Sequence, residues 1–217
     1  KMMSYYDRIL VKRGDKVYGR DITHLLKYMN FPKTENIVIR GELIISDENY
    51  EKFKDKFSNS RSMINGVSNA TKNINEEYLK VIDFVCFEIL EPKMIPFEQF
   101  EYLQSNGFKI PSYNLISHNK LLENISDLPS SFLYNYLKTR KEQSKYTIDG
   151  IIITQNIEYE LISSGNPSHS VAFKANSFGK VTKIKNIEWN VSKHGILIPK
   201  IEFDPIELGG SNVKHCS

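Results

Sequence analysis

In the stretch "YTIDGIIITQN", from Tyr146 to Asn156, Asp149 stands directly before Gly150 and three isoleucines. A Gly-bounded run of β-branched residues reads as an interior strand, which puts the carboxylate at the strand's mouth, where it can face a cleft. Asp-Gly is also a common turn dipeptide, and on its own the stretch reads as a turn. Lys174 lies in "VAFKAN". An amine on an apolar strand is either a point charge with little screening or the head of a side chain snorkelling from a strand edge. Glu42, in "VIRGELIIS", has Arg40 or a nearby lysine as a ready surface partner. Phe87 sits in an apolar run, where a phenylalanine usually packs into the core. Arg13 and Arg61 are candidate phosphate contacts or else solvated surface arginines, and Lys193 and His194, before Gly195, fit a surface turn.

These residues need elements to hold them. "MMSYYDRILVKRGDKVYGRDI" alternates short apolar runs with breakers, as a meander of strands does. "DITHLLKYMN" predicts a helix of about two turns, with Asp21 or Thr23 as N-cap and Ile22, Leu25, Leu26 and Met29 at helical spacing. "NIVIRGELIIS" reads as two short β-branched runs around Arg40-Gly41-Glu42, and "DENYEKFKDKFSN" as an exposed helix. Tyr78 to Leu90 predicts a buried strand, too short for a membrane span. "PFEQFEYLQSNG" predicts a helix stopped by Gly107. "LPSSFLYNYLKTRKEQ" predicts another, with Pro129 in its first turn and Leu133, Tyr136 and Leu137 on its core face. From near Thr182, short alternating runs punctuated by Gly and Pro suggest a small barrel or sandwich.

At 217 residues the chain can bury a sizeable core, and 40% hydrophobic residues exclude a disordered tail. Its 29 Lys and Arg against 26 Asp and Glu permit a polyanionic partner without requiring one. Cys86 and Cys216 are the only thiols and no secretory segment opens the chain, so a reducing, intracellular compartment is expected: cytoplasm, viral factory or nucleus. Asn-x-Ser/Thr triplets at Asn69, Asn124 and Asn190 then read as accidental. The chain starts on Lys1 and stops at "NVKHCS" within a strand-rich stretch, and reads as a fragment of a longer protein.

Seven blocks, in order, resemble the nucleotidyltransferase core of NAD-dependent DNA ligases and the start of their OB-fold domain. "KRGDKVYGRDIT" looks like that family's Arg-Gly-Asp-Gly loop with the Gly-x-Asp-Ile-Thr after it, and "VIRGELIIS" like its Val-Arg-Gly-Glu strand. "NSRSMINGVSNA" is a looser match to Arg-Asn-Ala-Ala-Ala-Gly, keeping Arg61 and Gly66. "DFVCFEIL" is similar to the strand that supplies an aromatic to adenine, "TIDGIII" to Ile-Asp-Gly, and "HSVAFKAN" to Ala-x-Ala-Phe-Lys. "IEWNVSKHGILIPKIEFDPIELGGSNV" resembles Val-Gly-Arg-Thr-Gly-x-x-Thr-Pro.

The resemblance implies an α+β fold of antiparallel sheets flanked by helices, ATP-grasp-like, over residues 1–180, and part of an OB-fold barrel over 181–217. It implies an enzyme that seals nicks in duplex DNA through a lysine-adenylate, with NAD and Mg²⁺, as a monomer without membrane attachment. All three of its steps are phosphoryl transfers, which need positive charge around the phosphorus, a grip on the nucleotide and a lysine able to lose its proton. By the same resemblance Lys174 meets the α-phosphate, Glu42 the ribose, Phe87 the adenine and Arg13 a phosphate. Asp149 holds a divalent metal or stabilises the lysine's charge, and Arg61, Lys193 and His194 contact DNA.

The sequence departs from the family twice. No Lys-x-Asp-Gly motif is present; Lys1 is the nucleophile candidate by order alone, closer to Arg13 than the family's hairpin allows and followed by Met2-Met3. Thr154 stands where the family usually carries a second phosphate-binding lysine. An ATP-dependent polynucleotide ligase or capping-type nucleotidyltransferase, and a non-catalytic nucleic-acid clamp, therefore stay open.

Overall fold

"NIVIRGELIIS" and "VIDFVCFEIL" pair with each other, and several helices of the first part of the chain pack against that pair. A computed structural model describes residues 9–12, 19–29, 31–32, 34–70, 75–160, 166–174, 180–208 and 211–216. The described residues fall into two units, one ending at Lys174 and one starting at Lys180. Every strand pair is antiparallel and helices intervene, an α+β arrangement.

In the first unit, β1 (Val11–Lys12) pairs with β2 (Arg20–Asp21). A 3-10 helix over Thr23–Tyr28 replaces the expected α-helix. Neither proposed cap acts as one: Asp21 accepts from the Thr23 amide, while the Thr23 hydroxyl exchanges hydrogen bonds with the Leu10 backbone. The two runs expected around Gly41 are one strand, β3 (Val38–Ile45). Only glycine permits this at position 41, since a Cβ there would lie 2.6 Å from both the Phe84 ring and the Val85 carbonyl.

The exposed helix expected next is cut to α1 (Asp47–Glu51), capped by Ser46, and is followed by α2 (Ser60–Asn69), α3 (Glu76–Lys80) and β4 (Ile82–Glu91). Tyr78 and Leu79 thus belong to a helix, because Asn75 caps the Glu77 amide and places Glu76 and Glu77 in a first turn. After α4 (Pro96–Ser105), Gly107 takes a positive φ of 81°. α5 (His118–Leu121) precedes α6 (Phe132–Gln143). Pro129 lies in a separate 3-10 turn, and Ser131 is the cap of α6. β5 (Ile151–Thr154) and β6 (Ser170–Phe173) form a pair of their own. β5 is not the interior strand expected, for Ile152 is 69% exposed.

Two buried clusters hold this unit. Ile22, Leu25, Ile45, Met63, Val67, Leu79 and Ile82 join the 3-10 helix, β3, α2, α3 and β4. Cys86, Ile89 and Leu103 join β4 to α4, and burial pushes the Cys86 thiol up to about 12, so it is inert at neutral pH. Met63 has no exposed surface, and Met63→Ala is expected to lower the unfolding free energy by about 2–5 kcal/mol, read from the urea midpoint.

The second unit is a three-stranded sheet of β7 (Ile184–Val191), β8 (Leu197–Leu208) and β9 (Ser211–Cys216), in that order. These three strands stand where a small barrel or sandwich was expected. Phe203 is the buried side chain among its described residues. Among the described residues of the chain, no helix is long and apolar enough to cross a membrane.

Candidate functional site

Pairing of β5 with β6 sets Ile151 against Phe173, which brings Gly150 beside Lys174. The approach is close: a Cβ on Gly150 would sit 2.7 Å from the Phe173 carbonyl oxygen and 2.8 Å from Lys174 Cγ. Glycine therefore lets the chain pass under the lysine stem, and the Lys174 ammonium meets the Asp149 carboxylate, Nζ to Oδ2, at 2.7 Å. Asp149 lies just before β5, and that hydrogen bond holds its carboxyl below the ordinary range. The pair is 59% and 82% exposed, so water screens the lysine, contrary to the expectation from its apolar neighbours. An exposed ion pair contributes little stability, and an incoming anion can take the ammonium at small cost. Thr154, at the other end of β5, accepts from the Ser170 hydroxyl across the ladder at 2.9 Å.

Glu42 and Phe87 belong to the β3–β4 pair. The register runs Arg40 with Glu88 and Gly41 with Cys86, which leaves Phe87 as an extra residue in β4. Such a bulge bends the strand and re-aims a side chain. Phe87 is accordingly 43% exposed while Cys86 and Ile89 are buried, so its expected core packing is replaced by an open ring. Glu42 pairs with Val85, two residues before Phe87, on the open face of the sheet. Its ready partner Arg40 is taken by Glu88 at 2.6 Å, and among the described residues the Glu42 carboxylate has no hydrogen bond or ion pair. A free carboxylate and an exposed ring on one face can hold a ligand that has hydroxyls and an aromatic plane.

Asp83, on the same strand, uses both carboxylate oxygens. Oδ1 accepts from Lys109, Oδ2 accepts from the Tyr146 hydroxyl at 2.6 Å, and Lys145 stands 3.5 Å away. Burial pushes its carboxyl up, but hydrogen bonds from Lys109 and Tyr146 outweigh this and the net shift is downward. A lowered folded value means stability present above the unfolded value and lost as pH falls through the folded one. The urea midpoints of the parent and Asp83→Asn should therefore differ near neutral pH and converge below the ordinary aspartate value of about 4.

Arg61 is the second residue of α2 and is exposed. Lys193 and His194 occupy the β7–β8 turn of the second unit, both exposed, where Gly195 has φ 77° and Ser192 accepts from the His194 and Ile196 amides. Lys1 and Arg13 lie outside the described residues. Asp149 and Lys174 thus touch, Glu42 and Phe87 share a sheet face, and Arg61 stands apart on a helix. Sequence reading missed Gly150, Asp83 and Glu88. The signal for the last two was present: each is an acid inside an otherwise apolar strand run.

Among the described residues, no group of three or more His, Cys, Asp and Glu could hold a metal. The ionised, exposed Asp149 suits an ion such as Mg²⁺, which is commonly held by one or two carboxylates together with substrate phosphates.

No protein-family model matches the chain. It is 34% identical over 213 residues to a DNA ligase of Acanthamoeba polyphaga mimivirus, covering 95% of this chain and 32% of that protein. It is 28% identical over 239 residues to a DNA ligase of Mycoplasmopsis pulmonis, covering 97% of this chain and 34% of that one. A DNA ligase of Pelagibacter ubique is 28% identical over 232 residues, with 98% and 33% covered. The chain spans about a third of the length of these curated relatives, and the similarity supports a DNA ligase domain.

Proposed function

We propose that this chain is the adenylating part of an NAD-dependent DNA ligase that seals nicks in duplex DNA as a monomer, inside the cell. Residues 1–180 are its nucleotidyltransferase domain and 181–217 the start of an OB-fold. The observation that carries the reading is the Lys174–Asp149 contact across Gly150, in a chain similar to DNA ligases over 95% of its length.

Lys174 places its charge on the α-phosphate of the dinucleotide substrate, exchanging the exposed Asp149 for a more highly charged anion. Glu42 accepts from the ribose hydroxyls, and Phe87 stacks on the adenine. Asp149, released from Lys174, would hold Mg²⁺, which would neutralise charge on the transferred adenylyl group. Arg13 contacts a nucleotide phosphate, while Arg61, Lys193 and His194 contact the DNA backbone. The nucleophile is assigned to Lys1 by order: its amine forms the N–P bond to the adenylyl phosphorus as the bond to nicotinamide mononucleotide breaks. The AMP then passes to a 5′-phosphate, and a 3′-hydroxyl displaces it.

Thr154, in place of a lysine and engaged with Ser170, specifically favours the second reading, a nucleic-acid clamp without lysine chemistry. Incubation of the full-length protein with Mg²⁺ and adenylate-labelled NAD or labelled ATP, followed by peptide mapping, separates the two. An AMP adduct on Lys1 from NAD alone is expected. An adduct from ATP alone replaces NAD by ATP, an adduct elsewhere reassigns the nucleophile, and no adduct from either leaves the clamp.

A further inference from the structure

Four residues assigned to the nucleotide and its metal belong to two separate strand pairs, Glu42 and Phe87 on β3–β4, and Asp149 and Lys174 flanking β5–β6. Their chemistry needs a fixed spacing between the pairs, because misplacement of a reacting group by about 1 Å can cost about a hundredfold in rate. Among the described residues, no ladder joins the two pairs. The connection that enters β5, residues 144–150, has no regular structure. One backbone bond, from the Asp47 amide to the Lys145 carbonyl at 2.9 Å, reaches that connection from beyond β3, and side chains set the rest of the spacing.

Two tyrosines flank β5, and each donates its hydroxyl to an acid on β4. Tyr146, before β5, donates to Asp83 Oδ2 at 2.6 Å, and Tyr159, after β5, donates to Glu88 Oε1 at 3.0 Å. The other oxygen of each acid is held by a cation, Lys109 on Asp83 and Arg40 on Glu88. Asp83 pairs with Ile44 and Glu88 with Arg40, so the bulge at Phe87 brings both acids to the same face of β4. Tyr159 also reaches β6: its ring stacks on His169 with centroids 3.6 Å apart, and His169 directly precedes Ser170. The Asp47 carboxylate adds to the first tie by accepting from both the amide and the hydroxyl of Thr147. Burial and the neighbouring acid raise both tyrosines, which keeps them protonated as donors.

We infer that Tyr146 and Tyr159 are positioning residues that tie the β5–β6 pair to β4 at both ends, through Asp83 and Glu88, and so set Lys174 and Asp149 against the face carrying Glu42 and Phe87. The inference rests on the nucleotidyltransferase reading above. Two ties acting on one body make a distinctive prediction. Either alone keeps the strand pair roughly placed, so loss of both must exceed the product of the single losses.

The test compares the full-length parent with Tyr146→Phe, Tyr159→Phe and the double variant, changes that remove hydroxyls and keep the rings. Adduct formation from labelled NAD should slow about threefold in each single variant and about a hundredfold in the double, with KM for NAD within about twofold. Amide hydrogen exchange in residues 151–154 and 170–173 should quicken in the double variant and stay unchanged in α2. Unchanged exchange in β5 and β6 overturns the ties, whatever the activity. Faster exchange that extends to α2, or an unaltered kcat, overturns the positioning role. A parent that forms no adduct sinks the ligase reading separately, and locally faster exchange then upholds the ties on their own.

Discussion

Lys174→Ala is expected to slow adduct formation by about 100- to 1,000-fold, the usual cost of removing one preorganised positive or donor group from a developing negative charge. Its effect on folding should be small, within about 1 kcal/mol, because its ion pair with Asp149 is exposed at both ends. The two readouts separate two roles. A lysine that merely snorkels from a strand edge would change neither by much, whereas a phosphate-binding lysine changes the rate alone. Parallel rate and urea measurements decide between them, and an activity loss under about fivefold would remove Lys174 from the site. Lys174→Arg is a sharper probe. It keeps the charge but needs a wider fork over Gly150, so the activity should recover only in part.

Gly150→Ala carries the second large effect, by a different route. The new methyl would lie 2.7 Å from a backbone oxygen and 2.8 Å from the lysine stem. The oxygen belongs to Phe173, which the ladder holds against Ile151, so relief requires the strands to part. Overpacking of this kind costs about 1–3 kcal/mol. The displaced Lys174 should add about a hundredfold loss in rate. Gly66→Ala is the matched control. Gly66 lies in α2, is exposed, and a Cβ there would meet nothing within 4 Å, so alanine should stabilise the protein by about 0.5–1 kcal/mol in urea denaturation.

The sequence made some elements plain and hid others for physical reasons. α4 and α6 were legible because apolar residues recur at helical spacing, and α4 also carries Pro96 at its start and Gly107 just past its end. α2 was missed, since "NSRSMINGVSNA" was read as a motif; its capping box, Asn59 with Ser62, was a start signal in plain view. β3 was split at Gly41 because a glycine between charged residues suggests a turn, and only the approach of Phe84 explains it. The site shows the same division. Residue types pointed to Asp149, Lys174, Glu42 and Phe87. The contact of the first two depends on a pairing distant in sequence, and the freedom of Glu42 depends on Arg40 choosing Glu88. No local pattern carries either fact.

The bulge at Phe87 shifts the parity of β4. A strand alternates inside and outside, so its pattern has a parity, and one extra residue reverses it. Before Phe87 the even-numbered side chains of β4 point to the core, as with Ile82 and Cys86; beyond it the odd-numbered Ile89 does. Deleting that single residue would join Cys86 to Glu88 in plain alternation, so Glu88 would stay outward with Arg40 and Tyr159 and Ile89 would stay in the core, while the bend and the open ring would be lost together. Removing Val85 as well would make Phe84 and Cys86 neighbours, set them on opposite faces and turn one part of the strand out of the core. At this point of β4 the extra residue can go without turning the pattern over, and the paired Val85 cannot.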